Sequence, residues 1–460
     1  MTKPRQPDPA QNQKAPKAHR PKAPFVRKSE VPAPPASKPS HSAHSGQSIP
    51  VPFGARITRR AADRLRSGHL WVYASDIESL SSGSGEPPNL LPVADSRGLL
   101  LGTALYSPAS QIALRLVSRD ALDESAWLAV LEKRLQSAIT RRLLHLVGAD
   151  RKSDSCRLCF SEADEIPGLI IDKYGPLIIV QRLTRGLVND AVRDVCVRVL
   201  CEAFSPETVM ERPDPRIREL EGLAAPDPSP WWSANSAAPV TATQFHLNGL
   251  AFHFDANSGQ KTGAFLDQAA NYQAAQKHAG LHAPGGRALD VCTYQGGFAL
   301  HLARVCKRVT GIDTSRSSLE VAERNLVANR SQLIAEVDWV EGDAFQILRD
   351  WAGAREQFDT IVLDPPAFAK SKRAIEGALR GYKELNLRAL QMLRPGGLLV
   401  TCSCSHHVAL TDLEAAVASA AADGHRRVRL LQRRGAAPDH PVVLNLPETG
   451  YLKCLVLQVD

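Results

Sequence analysis

Several things are missing from this 460-residue chain, and each absence narrows the reading. No run of about 18 apolar residues occurs, so no membrane span is expected. The N-terminus has no apolar core of a secretory signal, so the cytoplasm is the expected compartment. The nine cysteines show no even disulfide framework and are expected as reduced thiols. Cys156-Arg157-Leu158-Cys159 has the spacing of half a zinc site. No second pair follows at finger spacing, because Cys196 and Cys201 fall inside a helical pattern. These four are therefore read as structural cysteines, and no metal is expected. Residues 51–460 also have almost no net charge. The formal +8 comes from residues 1–50, which hold nine Lys/Arg against two Asp/Glu and leave only +1 for the rest. The high isoelectric point thus belongs to a Pro-, Ser- and Lys-rich tail, expected to be a solvated, disordered extension.

A globular composition begins after Pro50, with 43% hydrophobic and 23% charged residues over the whole chain. Residues 51–135 read as a small β-barrel followed by the start of a helix. Leu70–Tyr73, Leu99–Tyr106 and Ile112–Val117 read as strands, the last alternating like a half-buried one. Trp127, Leu128, Leu131, Leu135 and Ile139 recur at helical spacing. Residues 136–245 read as a central α/β domain. It has a hairpin turning at Tyr174-Gly175-Pro176, a helix with Val188, Val192, Val195 and Leu200 on one face, and a proline-punctuated loop or insertion containing Trp231 and Trp232. From 246 to 460 strands alternate with helices, which implies a doubly wound, mostly parallel α/β sheet of Rossmann-like type.

In such sheets ligands bind at the carboxyl ends of the strands, and the candidate residues gather there. Asp290 ends one strand and is followed by Tyr294, Gly296, Gly297 and Phe298. The glycines let a ligand approach the backbone and leave amide groups free at a helix start. Asp313 ends the next strand, placed to bind ribose hydroxyls. Asp343 follows the third, placed to accept from an adenine amino group. There is no G-x-G-x-x-G pattern, so a dinucleotide is disfavoured. Three acids without a phosphate loop suit adenosine joined to a cation, as in S-adenosylmethionine.

Asp364-Pro365-Pro366-Ala367-Phe368 ends a fourth strand and fixes a polar side chain on a rigid turn. Leu398–Ser403 is a fifth, carrying Cys402 and leading to Cys404. A thiol beside the Asp-Pro-Pro turn suits methylation at C5 of a pyrimidine. That carbon becomes nucleophilic only after a thiolate adds to C6, and a carboxyl group near N3 stabilises the charge that develops. Strand alternation puts Cys402 and Cys404 on one face, so the pattern alone leaves both open. Lys261 and Gln268 are candidates for lining the pocket. His406 and His407 read as exposed loop histidines rather than bases. Arg56, Arg59, Arg60, Arg64 and Arg66 form a basic cluster suited either to phosphate contact or to a solvated face.

Over about residues 53–460 the sequence resembles the PUA-domain-containing class I methyltransferases that make 5-methylcytosine in 23S rRNA, the large-subunit methyltransferase I family. Early motifs of the resemblance are Gly68-His69-Leu70-Trp71-Val72-Tyr73, Tyr106-Ser107-Pro108-Ala109-Ser110-Gln111-Ile112 and Glu162-Ala163-Asp164-Glu165-Ile166-Pro167-Gly168. Later ones are Lys261-Thr262-Gly263-Ala264-Phe265-Leu266-Asp267-Gln268, Tyr294–Phe298, Asp364–Phe368, Arg380-Gly381-Tyr382-Lys383, Ser403-Cys404-Ser405 and Asp439-His440-Pro441. It implies an RNA-binding PUA barrel, a central domain and a methyltransferase domain, with S-adenosylmethionine as cofactor. It also implies 23S rRNA or a large-subunit precursor as partner, and a homodimer as one option. It places the nucleophile on Cys404, with Asp364 as its catalytic companion and Pro365, Pro366 and Phe368 toward the substrate. Cys402, the basic tail and the Trp231-Trp232 segment depart from the family pattern. Two other readings remain: a related rRNA guanine methyltransferase, against which Cys404 argues, and a non-catalytic RNA-binding assembly factor.

Overall fold

The computed structural model describes residues 54–81, 88–146, 152–257, 263–369 and 371–460. The basic tail and Lys261 lie outside the described residues. No helix among the described residues is long and apolar enough to cross a membrane.

The first sheet has six strands, with spatial order Trp71–Tyr73, Ile112–Ser118, Leu100–Tyr106, Leu90–Asp95, Gly54–Ile57, Ile77–Ser81. The helix Arg59–Arg66 buries Ala61, Ala62 and Leu65 against it. Thr58 caps that helix by accepting from the Ala61 amide. The strand Ile112–Ser118 differs from its half-buried expectation, because Ala113, Leu114, Arg115 and Leu116 are all buried. Its polar face is covered by the second sheet region: Arg115 reaches Glu221 at 3.4 Å and hydrogen-bonds toward Ser107 and Thr184.

The second sheet has five strands, ordered Trp232–Ser233, Thr208–Glu211, Leu177–Arg182, Leu169–Tyr174, Ser155–Phe160. Its core packs against the helices Glu124–Leu146 and Asp190–Phe204. The first of these helices is continuous across position 135, where the sequence reading ended one domain. Val188 lies outside the second helix: Asn189 is the N-cap and accepts from Val192 N at 2.8 Å. The tryptophan segment supplies an edge strand, with Trp232 paired to Val209, and Arg182 lies 4.7 Å over the Trp231 ring.

A hairpin, Ala242–Leu247 and Leu250–Asp255, leads into the third sheet. The strands and helices of this last region are numbered from here on. They are α1 (Ala269–His282), β1 (Arg287–Val291), α2 (Gly297–Leu302), β2 (Arg308–Asp313), α3 (Arg316–Asn329) and β3 (Glu336–Glu341). Then come α4 (Ala344–Gly353), β4 (Phe358–Leu363), α5 (Ile375–Met392), β5 (Leu393–Ser403), α6 (Leu410–Asp423), β6 (Val428–Arg434) and β7 (Lys453–Val459). The order is β3-β2-β1-β4-β5-β7-β6, with β1 to β5 parallel and β7 antiparallel to both neighbours. Strands β1, β4 and β5 read as continuous apolar runs because they are covered on both faces, by one hydrophobic cluster on each side. The strand order reverses between β1 and β4, which opens a crevice beyond their carboxyl ends.

Candidate active site at the strand ends

The loop after β1 is held in an unusual shape. Cys292, Tyr294 and Gly296 have φ of 62°, 51° and 86°. Asp290 fixes this turn from below. It is fully buried, and one carboxylate oxygen accepts from Thr293 Oγ1 at 2.6 Å and Ala299 N at 2.8 Å. The other oxygen has no partner. Burial pushes the carboxyl up to about 7. Gly297 is required by packing, since a Cβ there would stand 2.5 Å from the Tyr272 ring. Phe298 meets that ring edge-on at 4.7 Å.

Asp313, at the end of β2, accepts from Tyr294 N and from Ser315 N, each at 2.9 Å. Asp343 caps α4 by accepting from Gln346 N at 2.9 Å. Asp364, at the end of β4, accepts from Gln268 Nε2 with both oxygens at 3.0 Å. The contact continues outward. Asn271 donates to Gln268 Oε1 at 2.6 Å, and Arg434 Nε donates to Asn271 Oδ1 at 2.8 Å. This chain fixes which way the Gln268 amide faces and so holds the carboxylate in place.

The two cysteines of β5 part company. Cys402 lies within the strand, opposite Cys454 of β7, and is fully buried. Its hydrogen bond with Cys454, together with burial, pushes the thiol well above its ordinary range. Cys404 lies one residue past the strand end and is half-buried, and its Sγ is 3.9 Å from the Pro365 carbonyl oxygen. Its flanking serines are tied down: Ser403 Oγ donates to Tyr382 Oη at 2.8 Å, and Ser405 Oγ lies 3.0 Å from the same oxygen. Lys453 Nζ donates to the carbonyls of Ser405 at 2.7 Å and Tyr451 at 2.8 Å.

These strand ends open on a cavity of about 1350 Å³. Tyr294, Gly297, Phe298, Asp313, Asp364, Pro365, Pro366, Gln268 and Cys404 line it. Asp290 lies beneath the loop and Gly296 at its end, neither on the wall, and next to Asp343 it is Gly342 that lines the cavity. Phe368 packs on Tyr382 at 4.9 Å. His406 and His407 are exposed at the rim. Trp71 and Tyr73 of the first sheet, Arg157 of the second and Glu162 of the turn that follows its strand Ser155–Phe160 also line it. Trp71 is fixed by a 2.8 Å bond from Nε1 to Glu162. Among the described residues no group of three or more His, Cys, Asp or Glu is arranged to hold a metal.

Lys453, Asn271 and Arg434 were not singled out from sequence. Asn271 and Arg434 carry no local signal, since they meet only in the fold. Lys453 carries one, a charged residue opening a mostly apolar strand.

The wall beside β1, β2 and β4 offers carboxylates and backbone amides. That donor set fits the hydroxyls and cationic groups of S-adenosylmethionine and offers no phosphate cradle. Residues 217–456 match the family described as S-adenosylmethionine-dependent methyltransferases, and residues 55–119 match a PUA-like domain. The fold and site thus define an S-adenosylmethionine-dependent methyltransferase that carries a PUA-like domain. Ribosomal RNA large subunit methyltransferase I of Erwinia tasmaniensis is 33% identical over 392 residues, covering 85% of this chain and 95% of that protein. The Pseudoalteromonas translucida protein of the same name is 34% identical over 399 residues, covering 86% and 96%. The chain belongs to the ribosomal RNA large subunit methyltransferase I family. A solved Streptococcus mutans protein assigned as a SAM-dependent methyltransferase shares the fold, with a TM-score of 0.72 at 18% identity over 88% of this chain and all of that one. A methyltransferase structure complexed with SAH matches to the same degree.

Proposed function

We propose that this protein methylates C5 of a cytosine in 23S ribosomal RNA, in the cytoplasm, through a covalent adduct between Cys404 and C6 of the base. The observation that carries this reading is the pairing of a cavity-facing thiol with the Asp-Pro-Pro turn, while the neighbouring thiol of Cys402 is sealed in the core. The relatives named as large-subunit rRNA methyltransferases support the substrate class.

S-adenosylmethionine supplies an electrophilic methyl group. Tyr294, Gly297, Phe298 and Asp313 hold it along the β1 and β2 wall. Asp313 takes ribose hydroxyls, and Asp290 keeps the loop in shape from below. The target base, drawn out of its stack, enters beside Asp364, Pro365 and Pro366. The Cys404 thiolate adds to C6 and makes C5 nucleophilic. Asp364, oriented by Gln268, faces the N3 edge, where a proton carried on its carboxyl group is shared with N3 and offsets the negative charge that the thiolate brings into the ring. C5 takes the methyl group as its bond to the sulfonium sulfur breaks, leaving S-adenosylhomocysteine; loss of the C5 proton to a base then expels the thiolate and restores the ring. Trp71 and Tyr73, which line the same cavity, give the RNA aromatic surface.

The test is transfer of label from S-adenosylmethionine to undermodified 23S rRNA, followed by identification of the nucleoside. The reading expects 5-methylcytidine. N-methylguanosine would replace the cytosine assignment with a guanine one. No transfer to RNA would favour a binding factor.

A further inference from the structure

Lys453 is an unusual residue to find where it is. It opens β7, whose next six residues are mostly apolar and buried, and is itself only 7% exposed. Burying an ammonium group is costly unless it is paired. The hydrogen bonds of this one go to two neutral carbonyl oxygens, Ser405 O and Tyr451 O. Ser405 directly follows Cys404, so the cation sits under the loop that carries the thiol and within its electrostatic reach. Burial lowers the lysine from its ordinary range, while a negative Cys404 acts to hold the proton on it.

Resting on the reading of Cys404 as nucleophile, we propose that Lys453 is a positioning residue whose buried ammonium provides the counter-charge for the Cys404 thiolate. The thiol proton leaves to water, the sulfur keeps the electron pair, and the cation below stabilises it before it adds to C6. The two carbonyl contacts hold the ammonium in place and clamp the loop, so the charge acts at a fixed distance. Other groups face the same sulfur. Asp364, one residue before the Pro365 carbonyl that meets the sulfur, opposes a negative charge there when ionised, whereas the Tyr382 hydroxyl of α5 keeps its proton beside that charge and adds none of its own. His406 and His407 stand on the same loop, and Asp412 of α6 acts on Lys453 from farther away. Among these groups Lys453 is the buried cation, and that sets the sign of its effect.

The experiment measures alkylation of Cys404 by iodoacetamide in the full chain as a function of pH, with the site read by mass spectrometry. In the wild-type protein the titration midpoint is expected below the ordinary thiol value of about 8.5. Lys453→Met should raise the midpoint and slow alkylation at pH 7 about tenfold, with the pH profile of methyl transfer moving the same way. Lys453→Arg, which keeps the charge, should retain most of the depression. A folded Lys453→Met protein with an unchanged midpoint overturns the proposal. Should the methionine variant fail to fold, the wild-type titration decides: a midpoint at or above about 8.5 overturns it as well. Methyl transfer surviving in Cys404→Ala would instead overturn the nucleophile reading, whatever the midpoint.

Discussion

Two strands of this molecule carry closely spaced cysteines. In the second sheet, Cys156 and Cys159 lie within Ser155–Phe160, are buried, and have thiols that burial pushes up. In the third sheet, Cys402 and Cys404 stand at and just past the end of β5. Cys402 shares the fate of the first pair, closed in the core and deactivated. Cys404 alone steps beyond its ladder, into a loop that faces the cavity. Residue type and spacing are similar in the two strands. The difference is whether the backbone is still pairing with a neighbour. A strand interior makes a thiol a small apolar filler, whereas a strand end in a parallel sheet presents it to a ligand.

The comparison breaks most sharply by mutation. Cys404→Ala should lower methyl transfer by more than about a thousandfold, because no other group can form the adduct. Cys402→Ala and Cys159→Ala should keep turnover within a few-fold and cost on the order of 1 kcal/mol of stability each in denaturant titrations. Loss of activity in Cys402→Ala with Cys404→Ala active would reverse the assignment.

Smaller effects sharpen what surrounds the thiol. Gln268→Leu removes the donor that holds Asp364, and should cut turnover roughly ten- to a hundredfold while leaving cofactor affinity unchanged, as steady-state kinetics and calorimetry would show. Asp313→Ala should do the opposite. It should weaken S-adenosylmethionine binding by about 1.5–3 kcal/mol, read by calorimetry.

The last effect is on stability alone and concerns Asp290, whose folded-state value of about 7 lies above its unfolded one. A raised carboxyl contributes stability that is complete below the unfolded value and is lost as pH rises through the folded value. The wild-type protein should therefore lose up to ~1.4 kcal/mol per pH unit from this group as pH rises from the unfolded value of about 4 to about 7, and nothing further well above 7. Asp290→Asn, which keeps an oxygen for Thr293 and Ala299, should flatten that part of the stability curve in melts at pH 5 and 7.

Much of this was legible in the sequence because strands buried on both faces write themselves as apolar runs. Leu289, Ile312, Ile361 and Val400 sit in such runs, and the acids and the Asp-Pro-Pro turn mark where the runs stop. Less legible was anything decided between distant elements. The strand Ile112–Ser118 alternates, yet both faces are covered, because Arg115 reaches across to Glu221. The Trp231-Trp232 segment read as a loop, but Trp232 joins a sheet edge through pairing with Val209. Alternation could not separate Cys402 from Cys404, since the choice depends on where β5 stops pairing with β7, at Ser403↔Lys453. The chain from Arg434 through Asn271 to Gln268 spans more than 160 positions and leaves no local trace.

The central claim is that Cys404, and not its neighbour, bonds to the base. An rRNA segment containing 5-fluorocytidine tests it directly, because fluorine at C5 cannot leave as a proton and the adduct persists. Incubation with S-adenosylmethionine, digestion and fragment mapping should place the RNA on Cys404, with the adduct kept in Cys402→Ala and lost in Cys404→Ala. An adduct on Cys402, or methyl transfer to cytosine with no trapped adduct, would contradict it.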